Sequence, residues 1–210
     1  MINSKILQKT NLENLLLICS ELKNFKPFIY FGTLLGITRE GNVLKNDDDI
    51  DLCINYKFKK DVLKKVTRIL EFKINKKVCN KYFIQLIRKK GKIKTFVDLY
   101  FFINHKNENF IEEKHNFFAS IHLKTHSIHI PKKYIFPLKK NKNFKNMFIP
   151  KNSKALCKFF YGETWKKPLK KNSEYRFEII NHKPKLIKRS IVGGLTRNVK
   201  NLFSSKFDKN

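Results

Sequence analysis

Asn46-Asp47-Asp48-Asp49-Ile50-Asp51-Leu52 puts four carboxylates into five positions of a chain that has only 17 acidic residues against 46 Lys and Arg. Crowding like charges in this way costs repulsion unless a cation neutralises them, and a hard, all-oxygen donor set suits Mg²⁺ or Mn²⁺. From Ile50 to Ile54 the stretch alternates as a strand does: Ile50, Leu52 and Ile54 share one face, and Asp49, Asp51 and Cys53 share the other. Asp49 and Asp51 can therefore chelate together, and Asp47 joins them if the strand extends back that far. The competing possibility is an Asp-rich turn held by local hydrogen bonds to the backbone. Two distant features weigh against it. Gly32-Thr33 ends one strand and opens a helical turn, where N–H groups and a hydroxyl can hold a phosphate. Asp98 sits inside the apolar run Phe96-Val97-Asp98-Leu99-Tyr100, where a carboxylate needs a metal or cationic partner.

Outward from this centre, apolar residues at 12, 15, 16, 19 and 22 have helical spacing, and Phe28 to Phe31 reads as a short buried strand. A brief helix is expected from Thr33 towards Arg39, ended by the Gly41-Asn42 turn. Phe58, Val62, Leu63, Val66, Ile69 and Leu70 predict an amphipathic helix. Strands are expected over 71–78, 82–88 and 94–102, a polar loop over 103–117, strand-like pieces over 118–130 and 146–149, and a helix from Ser153 to Tyr161 closed by Gly162. The order predicts an α+β domain with a mixed central sheet flanked by helices.

With 210 residues, 41% of them hydrophobic, the chain can bury one sizeable core, which excludes a disordered tail. Residues 1–170 are expected to form the catalytic domain, and 171–210 a basic, partly helical C-terminal extension. In that extension Ile187, Ile191, Leu195, Val199, Leu202 and Phe203 keep a helical stripe, interrupted by Gly193-Gly194, that either packs on its own domain or lies on an anionic membrane. The net charge of +29 attracts anionic partners of some kind, but Lys is spread along the whole chain, so a generally solvated basic surface fits equally well. No run reaches the length of a membrane span. Leu15 to Cys19 is too short for a secretory core, and Ile18 stands where a lipoprotein cleavage site needs a small residue, so an unexported, cytoplasmic protein is expected. Cys19, Cys53, Cys79 and Cys157 are widely spaced and fit reduced thiols.

Strand, Gly-Thr, short helix, Asp-x-Asp strand and a later strand Asp is the pattern of the nucleotidyltransferase (polymerase β-like) fold. Two ions held by Asp49, Asp51 and Asp98 would bridge a donor's phosphates and activate an attacking hydroxyl. A more specific likeness is carried by Tyr30-Phe31-Gly32-Thr33-Leu34-Leu35-Gly36-Ile37-Thr38-Arg39-Glu40-Gly41 and Asp47-Asp48-Asp49-Ile50-Asp51-Leu52. It continues through Val97-Asp98-Leu99-Tyr100, Ile135-Phe136-Pro137-Leu138, Ile149-Pro150-Lys151-Asn152 and Tyr161-Gly162. Over about residues 12–165 the chain resembles the LicD family of phosphocholine and fukutin-type ribitol-phosphate transferases.

That resemblance implies a CDP-activated donor whose phospho-alditol or phosphocholine group passes to a hydroxyl of a glycan or lipid-linked glycan, of lipopolysaccharide, capsule or teichoic-acid type. It makes Asp47, Asp49, Asp51 and Asp98 metal ligands, the last three catalytic, and Gly32, Thr33 and Arg39 binders of donor phosphate. Arg39 has its own rationale in the fit of a guanidinium to a diphosphate, although an exposed helix-end Arg accounts for it as well. Tyr161-Gly162 fits equally as a helix C-cap. Lys45 and Asn46 replace the family's usual Pro and Trp, and the Cys-rich insertion of the fukutin-type enzymes is absent. His105, His115, His122, His126 and His129 cluster in the second half, and His122 with His126 suggests a metal pair only if helical. Peripheral contact with an anionic membrane through the basic surface stays open beside a solvated one, and no specific nucleic acid is expected. Two alternatives remain: a nucleotidyltransferase adding a nucleoside monophosphate to a small molecule, protein or RNA, and a basic nucleic-acid-binding protein.

Overall fold

The computed structural model describes residues 4–115, 126–144, 146–168 and 175–188. It is an α+β fold: a mixed central sheet with helices packed on it, as expected. In chain order the elements that frame the site are α1 (Ser4–Glu21), β1 (Phe28–Ile29), α2 (Phe31–Glu40), β2 (Asp49–Asn55), α3 (Lys59–Val66) and β3 (Lys73–Ile74). The antiparallel strands β4 (Phe83–Lys90) and β5 (Ile93–Asn104) follow, then β6 (Phe110–His115), β7 (His126–Pro131) and the short α4 (Lys132–Ile135). Strands β8 (Lys139–Lys140) and β9 (Phe148–Ile149) lead to α5 (Ser153–Tyr161) and the hairpin β10 (Tyr175–Ile180) to β11 (Lys183–Lys188).

The sheet runs β3-β4-β5-β2-β1-β9-β8, with β6 and β7 extending from the far end of β5. At its centre β2 and β5 pair in parallel, Asp49 opposite Phe96 and Asp51 opposite Asp98, and the Phe96 N–H reaches back to the Asp48 carbonyl at 2.8 Å. Both central strands are buried on two faces, which is why Ile50, Leu52, Val97 and Leu99 are apolar and Cys53 is closed from solvent. An aromatic group of Phe28, Tyr30, Phe31, Tyr100 and Phe160 ties β1, α2, β5 and α5 together; the Tyr30 and Phe160 centroids lie 5.1 Å apart, and those of Phe31 and Phe160 4.8 Å. All four cysteines are free thiols, three of them buried. No helix among the described residues is long and apolar enough to cross a membrane.

Several expectations change: α3 ends at Val66, and Leu70 of its expected apolar stripe is exposed. The face that α1 buries is Thr10, Asn11, Asn14, Leu15, Ile18 and Cys19, so it carries three polar residues, while Leu16 is turned outward. A purely apolar count therefore rotates the helix away from its true buried face. Of the polar loop expected over 103–117, the described residues 103–115 are instead the end of β5, a turn and β6, where Ile111 and Glu113 point inward and the charges at Glu112 and Lys114 hide the alternation. The strand expected over 71–78 shrinks to Lys73–Ile74. Beyond residue 170, the described part is a β-hairpin turning at Asn181-His182, both with positive φ. Ile187 belongs to β11, and the rest of the helical stripe lies outside the described residues.

The polar face of α1 is paired to the sheet. Asn14 donates to the Thr95 hydroxyl at 2.9 Å and accepts from Arg88 at 2.8 Å, a buried chain between α1, β5 and β4. Removing a partner from such a chain costs about 1–3 kcal/mol, because the groups left behind are desolvated and unsatisfied. Asn14→Leu should lower the urea-unfolding free energy by that amount. Glu13→Gln, which weakens the partly exposed ion pairs with Lys90 at 2.9 Å and Arg88 at 3.8 Å but leaves the Asn14 bonds in place, should cost less, within about 1 kcal/mol.

Candidate metal centre

The acidic loop and β2 are pinned before any ligand arrives. Asn11 on α1 donates to the carbonyls of Asp47 at 2.8 Å and Asp49 at 3.4 Å. On the other side, the Asp51 backbone N–H donates to the Thr33 hydroxyl at 2.8 Å, and the Gly32 N–H donates to Asp51 Oδ2 at 2.8 Å. Backbone and side chain of Asp51 are thus both held by the first turn of α2. A Cβ at Gly32 would lie 2.8 Å from Asp47 Oδ2 and 3.2 Å from Asp51 Oδ2, closer than ordinary packing allows, so only glycine lets the loop and the helix start approach this far. Phe31, just before it, has φ +29, a conformation that costs a non-glycine residue about 1–3 kcal/mol and tends to occur beside functional sites.

Asp49, Asp51 and Asp98 each offer an oxygen, and these atoms all lie within 4.8 Å of one another; Asp47, Asp48 and Asp49 form a second such group. The register accounts for the first group. Parallel neighbours at matched positions point the same way, so Asp98 is on the same side as Asp51. Asp51 and Asp98 are buried at 5% and 6% exposure. Burial, then the neighbouring Asp49, pushes the Asp47 carboxyl up to about 8. Burial also raises Asp49, and it raises Asp51 well above the carboxylate range, with Asp49 and Asp98 adding to the Asp51 shift. A hard divalent cation removes that penalty, so the donor set fits Mg²⁺ or Mn²⁺ in number, chemistry and spacing.

Over the cluster opens a cavity of about 280 Å³, with Gly32, Asp47, Asp49 and Asp51 on one side. Phe31, Tyr100 and Tyr161 add aromatic side chains to the lining, and Ile128 of β7 with Glu178, Ile179 and Pro184 of the C-terminal hairpin completes it. Burial, and then the charge of Asp51, hold the phenols of Tyr100 and Tyr161 well above their ordinary range, so both stay protonated.

The candidate residues do not all converge. Gly32 lines the cavity, but Thr33 is buried with its hydroxyl turned to the Asp51 backbone. Arg39 is seven residues along α2 from Gly32, about 10 Å at the helical rise, and its guanidinium pairs with Glu40 at 2.6 Å; it is not part of the cavity lining. Tyr161 does close α5, with Gly162 at φ +79 donating to the Lys158 carbonyl, but it also lines the cavity. Of the suggested histidine pair, His122 lies outside the described residues and His126 opens a strand. His129 instead meets His105 at 4.2 Å between centroids and stacks on His182 at 3.9 Å.

Several contributors escaped the motif reading. Gln85 donates to Asp98 Oδ1 at 2.9 Å, and its only sequence signal is a polar residue between Ile84 and Leu86, on the strand face that Asp98 occupies next door. Asn11 signals itself only as a polar residue on a helix face that proved buried, and the hairpin residues follow a stretch with no catalytic motif. A search of curated proteins finds no match to the chain. Residues 24–152, which hold the Gly32 turn, the acidic loop and Asp98, match the family described as LicD/FKTN/FKRP, nucleotidyltransferase domain, and the chain belongs to that family.

Proposed function

We propose that the protein is a metal-dependent phosphotransferase that moves a phospho-alditol, phosphocholine or similar group from a CDP-activated donor to a hydroxyl of a cell-surface glycan. Membership of the family suggests a phosphotransferase of the LicD/FKTN/FKRP type, and such enzymes are metal-dependent in general. The observation that carries the reading is the meeting of Asp49, Asp51 and Asp98 beneath a cavity large enough for part of a nucleotide-linked donor. The basic surface supports a place at the inner face of a membrane, where anionic lipid or lipid-linked phosphate would be attracted.

In this reading Asp49, Asp51 and Asp98 hold Mg²⁺ or Mn²⁺, and Asp47 adds a ligand from the loop. The bound cation supplies charge neutralisation at the donor's phosphates and acidifies the acceptor hydroxyl. The chain's own residues do the positioning. Gly32 has no side chain to obstruct the donor's phosphate above Asp47 and Asp51, and Thr33 acts through the Asp51 backbone. Arg39, paired with Glu40 and not lining the pocket, is the remaining candidate for the donor's phosphate. Asp98, on the apolar β5, is the base-side metal ligand in this reading. Tyr100 and Tyr161, both protonated, can donate hydrogen bonds from the lining, and the hairpin side keeps bulk water from competing with the acceptor.

Purified protein with Mg²⁺ and a panel of CDP-linked donors should release CMP, and Asp49→Asn or Asp51→Asn should cut the rate by about 100-fold or more, as expected for losing several kcal/mol of transition-state stabilisation. Release of pyrophosphate from a nucleoside triphosphate, with none of the diphospho-donors turned over, would favour nucleotide addition instead.

The metal-free protein should carry a stability cost from the same carboxylates. A carboxyl whose folded-state pKa is raised binds its proton more tightly when folded, so its favourable contribution is full below the unfolded value and is lost as pH rises through the folded one. For Asp47 that window reaches up to about 8. The melting temperature without metal should therefore fall between pH 5 and pH 8 by calorimetry, and Asp47→Asn should flatten the fall. Millimolar Mg²⁺ should raise the melting temperature of the wild type at pH 8 and do so less for the variant.

A further inference from the structure

We infer that Gln85, on the strand next to Asp98, is a positioning residue for the metal centre, fixing the rotation of the Asp98 carboxylate through a side-chain amide that Asn75 holds in turn. The inference rests on the metal-dependent reading above and adds to it a residue outside the acidic motif.

Gln85 and Asp98 stand directly opposite each other on antiparallel β4 and β5, and Gln85 Nε2 donates to Asp98 Oδ1 at 2.9 Å. The direction of this bond follows once Asp98 is ionised, as it must be to ligate a cation. An ionised carboxylate only accepts, so the amide must turn its NH₂ towards Asp98 and its carbonyl away. The carbonyl meets a dedicated donor: Asn75 Nδ2 reaches Gln85 Oε1 at 2.6 Å. A flipped amide would set oxygen against carboxylate on one side and NH₂ against NH₂ on the other.

The Asn75 end is itself anchored. The Asn75 N–H donates to the Gln85 carbonyl at 2.8 Å, the Cys79 thiol donates to the Asn75 carbonyl at 3.1 Å, and the Gln85 N–H donates to Cys79 Sγ at 3.4 Å. The turn after β3 is therefore closed around one side chain, and that side chain is directed at Asp98. Gln85 adds little to the apolar core: Ile84 and Leu86 beside it supply the core contacts of β4.

A carboxylate on a strand turns about its last side-chain torsion over a broad range. Metal binding by Asp49, Asp51 and Asp98 needs one narrow orientation, and a fixed amide on Oδ1 selects it before the cation arrives. Groups that orient metal ligands in this way are worth about 10–100-fold in metal affinity when removed. Asn75 acts one bond further out, so its loss should cost less.

Mn²⁺ titration followed by the electron paramagnetic resonance signal of the free ion tests this directly. Gln85→Met keeps volume and packing but has no amide. It should bind Mn²⁺ about 10–100-fold more weakly than wild type, with an unchanged far-ultraviolet circular dichroism spectrum, and saturating Mn²⁺ should restore most of the rate of CMP release. Asn75→Ala should also weaken Mn²⁺ binding, by less than Gln85→Met does. Wild-type affinity in Gln85→Met would overturn the positioning role while leaving the metal centre standing. A wild-type protein that binds no Mn²⁺ would overturn both readings. Should Gln85→Met fail to fold, Asn75→Ala decides the matter, and wild-type affinity there overturns the proposal.

Discussion

Parallel pairing of β2 with β5 is the constraint on which the rest depends, because it sets Asp51 beside Asp98 in the interior of the sheet. Two buried carboxylates at matched positions repel in a medium of low dielectric, and the ladder between the two strands does not offset that cost. The surrounding structure supplies stabilisation piece by piece. Gly32 donates its N–H to Asp51, Thr33 takes the Asp51 N–H, Gln85 donates to Asp98, and Asn11 ties down the loop carbonyls. Each of these four holds geometry or satisfies a polar group, but none of them is a positive charge. A site that is rigid, acidic and held by neutral donors is what a divalent cation can complete.

That rigidity comes from burial on every side. The strands bearing the acids are apolar at the alternate positions and covered by α1 on one face, while the aromatic group around Tyr30 and Phe160 locks α2 and α5 near the other. The first turn of α2 must come so close to the acidic loop that no side chain fits at residue 32, and the neighbouring Phe31 takes up an unfavourable backbone angle. Packing energy from the aromatic group offsets this local strain. The geometry of the site is thus maintained by stability generated elsewhere in the core.

The centre of this arrangement was legible from residue types because its chemistry is dense. Four Asp in five positions, an Asp in an apolar strand and a Gly-Thr step after a short strand together locate β2, α2 and β5 within a few residues. Legibility ends where polar residues are buried by pairing. Asn11, Asn14 and Gln85 look like solvent-facing residues until their partners, dozens of positions away or across a strand, are known. The same blindness turned Phe110–His115 into a loop, since Glu112, Glu113 and Lys114 mask a strand whose Glu113 is buried. Arg39 lies about 10 Å along α2 from Gly32 and pairs with Glu40, a placement that its nearness to the motif in sequence does not show.

The cavity adds a division of labour that follows from the same geometry. Its acidic floor comes from the family-matched residues 24–152, whereas Tyr161, Glu178, Ile179 and Pro184 lie beyond them. The hairpin is held to β7 by the His129 N–H on the His182 carbonyl at 3.0 Å, by His182 Nδ1 near the Ser127 carbonyl at 3.1 Å and by the stacked rings of His129 and His182. Those contacts fix where Glu178 and Ile179 stand without touching the acidic cluster. The cavity thus joins an acidic floor carried by the sheet to lining residues from α5 and the C-terminal hairpin, and the hairpin's anchorage on β7 is separate from the bonds that hold Asp51 and Asp98.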